Sequence, residues 1–204
     1  MMSDTKRSRL EMIVAVCAVV TSVIALFVAW DQGRVMRAQQ HGAVYPVLQV
    51  DGFVSTTQDQ RQLGIQFTNS GVGPALIESV EAVRNGEPIA GLSDHYARMP
   101  AGNELSWTSM VGRAVAPSDN IRALVISWPL EGISHAEQLG ASQQWSDVQL
   151  NICYCSVFGR CWIAVGLGNS RIEPVKKCKR SDSDIFEELS SRLPLAEQEI
   201  TEVE

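Results

Sequence analysis

The sequence predicts a mainly β protein: one N-terminal transmembrane helix, then an antiparallel Ig-like β-sandwich, then a short C-terminal helix. Three observations predict it. Residues 12–30 carry no charge, the pattern past Pro46 alternates with period two, and turn residues recur at short spacing between the strand candidates. With 204 residues, 45% hydrophobic and 20% charged, the chain has room for one ordinary domain plus appendages and is not broadly disordered. A net charge of −6 excludes a generic nucleic-acid binder, because phosphate affinity needs concentrated positive charge.

The elements divide the chain into a cytoplasmic tail at 1–11, a transmembrane helix at 12–30, a juxtamembrane helical stalk at 31–45, a β-sandwich at 46–180, and an acidic helix and tail at 181–204. The run from Met12 to Trp30 makes about 28 Å of helix, close to the ~30 Å hydrocarbon core. Thr21 and Ser22 can return their hydroxyls to the helix's own carbonyls, and Trp30 suits the headgroup layer. The run is longer than a signal-peptide core, and Phe27 is too bulky for a small-x-small cleavage site, so the anchor is expected to stay uncleaved. Lys6, Arg7 and Arg9 precede it and Arg34 and Arg37 follow it, a bias toward a cytoplasmic N-terminus. Residues 31–40, DQGRVMRAQQ, extend the helix past the lipid, and His41-Gly42 ends it.

Residues 47–54 and 63–68 read as strands, the second alternating apolar and polar. The cluster 69–75, NSGVGPA, is a turn or bulge, and 76–84 a third strand. Asn85-Gly86 marks a hairpin, because both central residues of its turn take positive φ, and 87–89 begins the return strand. Residues 93–99 suggest a short helix or crossover. Strands are expected at 104–111 and 121–128, the latter ended by Pro129. A helical turn is expected around HAEQLG, and strands at 148–158 and 161–166 joined by Gly159-Arg160. In the tail, Asp182 or Ser183 is expected to cap a helix running through Ile185, Phe186, Leu189 and Leu193.

The cysteines are the most informative residues. Cys17 is a small filler in the membrane helix. Cys153, Cys155, Cys161 and Cys178 cluster late, an even number that suits an oxidising compartment. Cys153 and Cys155 lie two apart on a strand and point to one face, so they do not bond each other. Two pairings remain. Cys155–Cys161 closing the hairpin, with Cys153–Cys178 pinning the basic segment to the sheet, is preferred; the opposite assignment stays open. Inert reduced thiols, a four-thiolate metal site and a redox pair compete with structural disulfides. The C-x-C spacing fits a zinc knuckle poorly, and no C-x-x-C opens a helix.

Other chemistry is sparse. His41, His95 and His135 show no ligand spacing and read as surface or loop residues. No G-x-S-x-G is present. Gly71-Val72-Gly73 and Gly166-Leu167-Gly168 lack the third glycine of a phosphate loop. Asp94, Glu104 and Asp147 are scattered, with no two paired. Trp107, Trp128, Trp145 and Trp162 read as core. Residues 171–180 hold five Lys or Arg against one Glu, and residues 181–204 hold eight acids against one Arg. The run Lys176-Lys177-Cys178-Lys179-Arg180 is either a solvated stretch or a contact for anionic lipid or an acidic partner.

In Asp31-Gln32 through Arg37, Val44-Tyr45-Pro46-Val47-Leu48, the Asn69–Ala75 segment, Cys153-Tyr154-Cys155-Ser156 and Cys161-Trp162, the chain resembles a group of uncharacterised bacterial single-pass inner-membrane proteins with a C-terminal extracytoplasmic β-domain. The resemblance touches most of the chain up to about residue 165. It implies a bacterial inner membrane, a cytoplasmic N-terminus and a periplasmic or exterior head, and implies no activity. The expectation is a non-enzymatic interaction or accessory component of an envelope complex. It would meet the lipid bilayer through one helix and an unidentified protein partner through its head, without cofactor, metal or nucleic acid. The alternatives are a redox or other enzyme on the cysteine cluster and a cytoplasm-facing tethered domain.

Overall fold

The computed structural model describes residues 4–168 and 171–191, in two compact units divided between Ala43 and Val44. The first is one helix, α1 (Asp4–Ala43). No proline interrupts it, and Gly33, its one glycine before the last turn, costs only ~1 kcal/mol relative to alanine. The stretch Glu11–Ala43 is long and apolar enough to cross a membrane, and it contains both Met12 and Trp30. Thr21 Oγ1 donates to the Cys17 carbonyl at 2.9 Å and Ser22 Oγ to the Ala18 carbonyl at 2.7 Å, so neither hydroxyl needs water. The stalk is a continuation of this helix, and His41-Gly42 does not end it; Ala43 does.

The second unit is mainly β. Its strands are β1 (Leu48–Thr56), β2 (Gln60–Asn69), β3 (Ala75–Arg84), β4 (Glu87–Pro88), β5 (Glu104–Trp107), β6 (Ala114–Val115), β7 (Asn120–Pro129), β8 (Val148–Cys155), β9 (Cys161–Val165) and β10 (Arg171–Val175). Three short helices interleave: α2 (Ser93–Tyr96), α3 (His135–Gln143) and α4 (Ile185–Ser191). Two antiparallel sheets result. One has the order β1-β2-β7-β5; the other has the order β10-β9-β8-β3-β4, with β6 also on β3. Phe67, Leu124, Ile126 and Trp128 of the first share one buried cluster with Ile77, Leu150, Ile152 and Tyr154 of the second.

Local chemistry explains several elements. Asn85 and Gly86 have φ of 52° and 85°, the tight hairpin the dipeptide predicts, and β4 returns for two residues only. Ser134 and Glu137 form a reciprocal capping box that starts α3, a full helix rather than a single turn. Four expectations need correction. The strand predicted at 104–111 stops at Trp107, and the chain then leaves one sheet for the other at β6. Its cause lies far along the chain: the Asp184 carboxylate takes the backbone N–H of Met110 at 2.6 Å and of Val111 at 2.8 Å, groups a strand would have used. The strand predicted to 158 ends at Cys155, where Ser156–Gly159 turn. Residues 171–175 form β10, whose Pro174 is tolerated because the strand is an edge. Asp184, not Asp182 or Ser183, caps α4, accepting from the Phe186 N–H at 2.9 Å.

Of α4's apolar face, Phe186 and Leu189 are buried, and Phe186 meets Phe67 edge-on with centroids 6.1 Å apart. Leu193 and the acidic tail beyond it lie outside the described residues. Trp128, Trp145 and Trp162 are core residues, whereas Trp107, on edge strand β5, is exposed.

Candidate functional site

The strand directions give the head two ends. Val44 enters at one, together with the 70–75 loop, the β8–β9 turn at 156–160 and the segment 176–180 that follows β10. The side chain of Asn69, fully buried, organises this entry end. Its amide donates to the carbonyls of Gly73 at 2.8 Å and Val115 at 2.9 Å. Its Oδ1 accepts from the N–H of Gly71 at 3.0 Å and Val47 at 3.2 Å. That uses the full capacity of a carboxamide, and it ties both sheets to the incoming chain. Gly71 and Gly73 lie so close to the backbone of Tyr45 and Val44 that a Cβ at either would overlap it. The paired-glycine fragment is therefore a close-packing device. Tyr45 then stands edge-on to Trp162, 5.0 Å between centroids, and Tyr154 accepts the Leu48 N–H at 3.5 Å; burial pushes its phenol up to about 12.

Alternation along β8 puts Cys153 and Cys155 on the face of the sheet away from the main core. Cys155 stands directly opposite Cys161 on β9, and the two are joined with Cα atoms 4.0 Å apart. The neighbouring pair, Ser156 and Arg160, exchanges a backbone bond, so the cystine occupies the close, non-hydrogen-bonded position of the ladder. Cys153 is joined to Cys178, Cα atoms 5.7 Å apart. The second bridge draws the basic segment across the outer face, where Cys153, Cys161 and Cys178 make a small apolar cluster with Cys155, Ile163 and Val175. The chain then reaches β3, where Ser181 donates to the Glu78 carbonyl at 2.9 Å. The sulfurs of Cys155, Cys161 and Cys178 lie within 4.8 Å of one another. Paired as cystines, they carry no thiolate to offer a metal or a disulfide substrate. Beside them opens a groove of about 900 Å³ between the hairpin tip and the basic segment, lined by Lys176, Lys177, Lys179 and Arg180 with Val157 and one carboxylate, Glu78.

The opposite end holds two further features. A cleft of about 380 Å³ opens beside β1, lined mainly by apolar groups including Val54, Leu63, Ile65, Trp145 and Leu167. Near it, His95 is buried, which corrects its expected place on the surface. The guanidinium of Arg84 reaches the His95 ring, pairs with Asp147 at 3.0 Å, and Trp145 covers the ring at 5.6 Å. Arginine only donates, so a ring nitrogen bonded to it must accept, which favours the neutral imidazole, while the Asp147 carboxylate 3.7 Å away favours the charged one. Its pKa is lowered from 6.5, first by burial and then by Arg84, with Arg98 adding to this and Asp147 opposing it. A lowered folded pKa means the unfolded chain binds the proton first. The stability this provides is complete above about pH 6.5 and is lost as pH falls below it. The thermal midpoint is expected to fall between pH 7.5 and pH 5, and His95→Gln to flatten that slope; an unchanged slope in the variant refutes the assignment. His135 and Glu104 are exposed, whereas Asp94 lines a small pocket beside Arg84 and His95.

Sequence reasoning missed the Arg84–His95–Asp147 group and the role of Asn69, which joins the nearby Gly71 and Gly73 to Val47 and Val115, 22 and 46 residues away. Compared with protein-family models, curated proteins and solved structures, the chain matches none.

Proposed function

We propose that this chain is a single-pass membrane protein whose Ig-like head lies in an oxidising, extracytoplasmic compartment and acts as a non-enzymatic interaction module of a bacterial envelope. The observation that carries the reading is the pairing of all four head cysteines behind one apolar helix. A cytosol keeps such thiols reduced, whereas a periplasm or cell exterior lets them persist as cystines. The strand orders support the Ig-like assignment. β1-β2-β7-β5 and β9-β8-β3-β4 correspond to the A-B-E-D and G-F-C-C′ sheets of that architecture, with β10 added beyond G. The departure is that both cystines staple one sheet and its flanking segment rather than joining the two sheets.

The test is alkylation of the chain in intact membranes. Cys153, Cys155, Cys161 and Cys178 are expected to stay unlabelled until reductant is added. Labelling without reductant overturns the location, and points to the cytoplasm-facing alternative or to a thiol-based enzyme.

A further inference from the structure

We infer that the entry end of the head docks on the anionic headgroup surface of the bilayer that the helix spans, with the tip Val157-Phe158 entering the interface and the run at 176–180 facing lipid phosphates. The inference rests on the anchoring proposed above and names the surface this end binds.

Three independent features converge on that end. The first is apolar. Seven large apolar side chains of the head are exposed among the described residues. Val54, Trp107 and Leu139 are dispersed, but Tyr45, Val72, Val157 and Phe158 all lie at the entry end. Val157 and Phe158 are about half exposed at the tip of a hairpin that the Cys155–Cys161 bridge holds rigid, so presenting them costs little ordering entropy on binding. The second is charge. The chain is −6 overall, yet five of its cations, Arg160, Lys176, Lys177, Lys179 and Arg180, are exposed here. Four of them line one groove with Val157. Cations flanking exposed apolar groups suit a headgroup layer, where lysine stems reach along the interface while the ammonium meets phosphate. Against these cations the groove itself sets one carboxylate, Glu78, and exposed Asp182 follows the run, so positive charge prevails there. The third is covalent reach. Thirteen residues, at most ~20 Å of helix, separate Trp30 from Val44, so an anionic surface is always at high local concentration for this end.

The experiment is hydrogen–deuterium exchange on the full chain in nanodiscs of phosphatidylcholine alone and of phosphatidylcholine with phosphatidylglycerol, with a third arm of phosphatidylcholine discs plus inorganic phosphate. Peptides covering 156–160 and 176–180 are expected to exchange at least about fivefold more slowly in the phosphatidylglycerol discs only. Lys176→Glu, Lys177→Glu and Lys179→Glu together are expected to abolish the difference; should that variant misfold, the three wild-type arms decide alone. Equal exchange in both discs overturns the inference. Equal slowing by free phosphate overturns it too, showing a soluble-anion pocket instead. Protein that co-elutes with neither disc overturns the anchoring and this inference with it. The unreduced mass of the same peptides reads the cystine state, so failure of the oxidising location is seen separately.

Discussion

Asn69→Leu is expected to lower the stability of the head by about 3–5 kcal/mol. Leucine has nearly the same size and fills the buried site, so little volume is lost. It leaves two N–H groups and two carbonyls without the partner they have in the folded state. Each such buried group costs ~1–3 kcal/mol, and local relaxation recovers part of the sum. For a domain of this size the melting midpoint falls by about 10 °C, measurable through the fluorescence of Trp128 and Trp162. Asn69→Asp separates hydrogen bonding from shape. The carboxylate keeps both accepted bonds but turns an oxygen toward the Gly73 and Val115 carbonyls. If Asn69→Asp leaves the head as stable as the native chain, the account is refuted.

The second large effect concerns the two cystines, which are not equivalent. Cys153–Cys178 closes a loop of sequence separation 25, and Cys155–Cys161 one of 6. In the chain-entropy model these constrain the unfolded chain by about 3.5 and about 2 kcal/mol. Replacing Cys153 and Cys178 together by alanine is therefore expected to cost more than replacing Cys155 and Cys161, by roughly 1–2 kcal/mol in urea unfolding. The longer bridge also holds the basic segment, so its loss should expose residues 176–180 to protease while the β8–β9 hairpin stays intact. Equal losses, or the reverse order, contradict the assigned roles.

What was legible in the sequence was what neighbours decide. The long apolar N-terminal helix follows from an uncharged run, the 85–86 turn from two residues that tolerate positive φ, and the shared face of Cys153 and Cys155 from strand alternation. What was not legible depends on partners far along the chain. The exit of 108–113 from its sheet is set by Asp184, 74 residues beyond Met110. His95 looks like a loop residue until Arg84 and Asp147 close over it. β10 hides behind Pro174 and its charges, and it forms because β9 offers an edge for five residues. Asn69 reads as one more turn residue, since nothing local says that Val47 and Val115 converge on it.

The helix that follows Asp184 has a consequence for biogenesis. Phe67, in the second strand, is covered by Phe186, near the end of the described chain. A polypeptide made from its N-terminus therefore leaves Phe67 without this cover until residue 186 has emerged, so that part of the core closes well after its own strand is made.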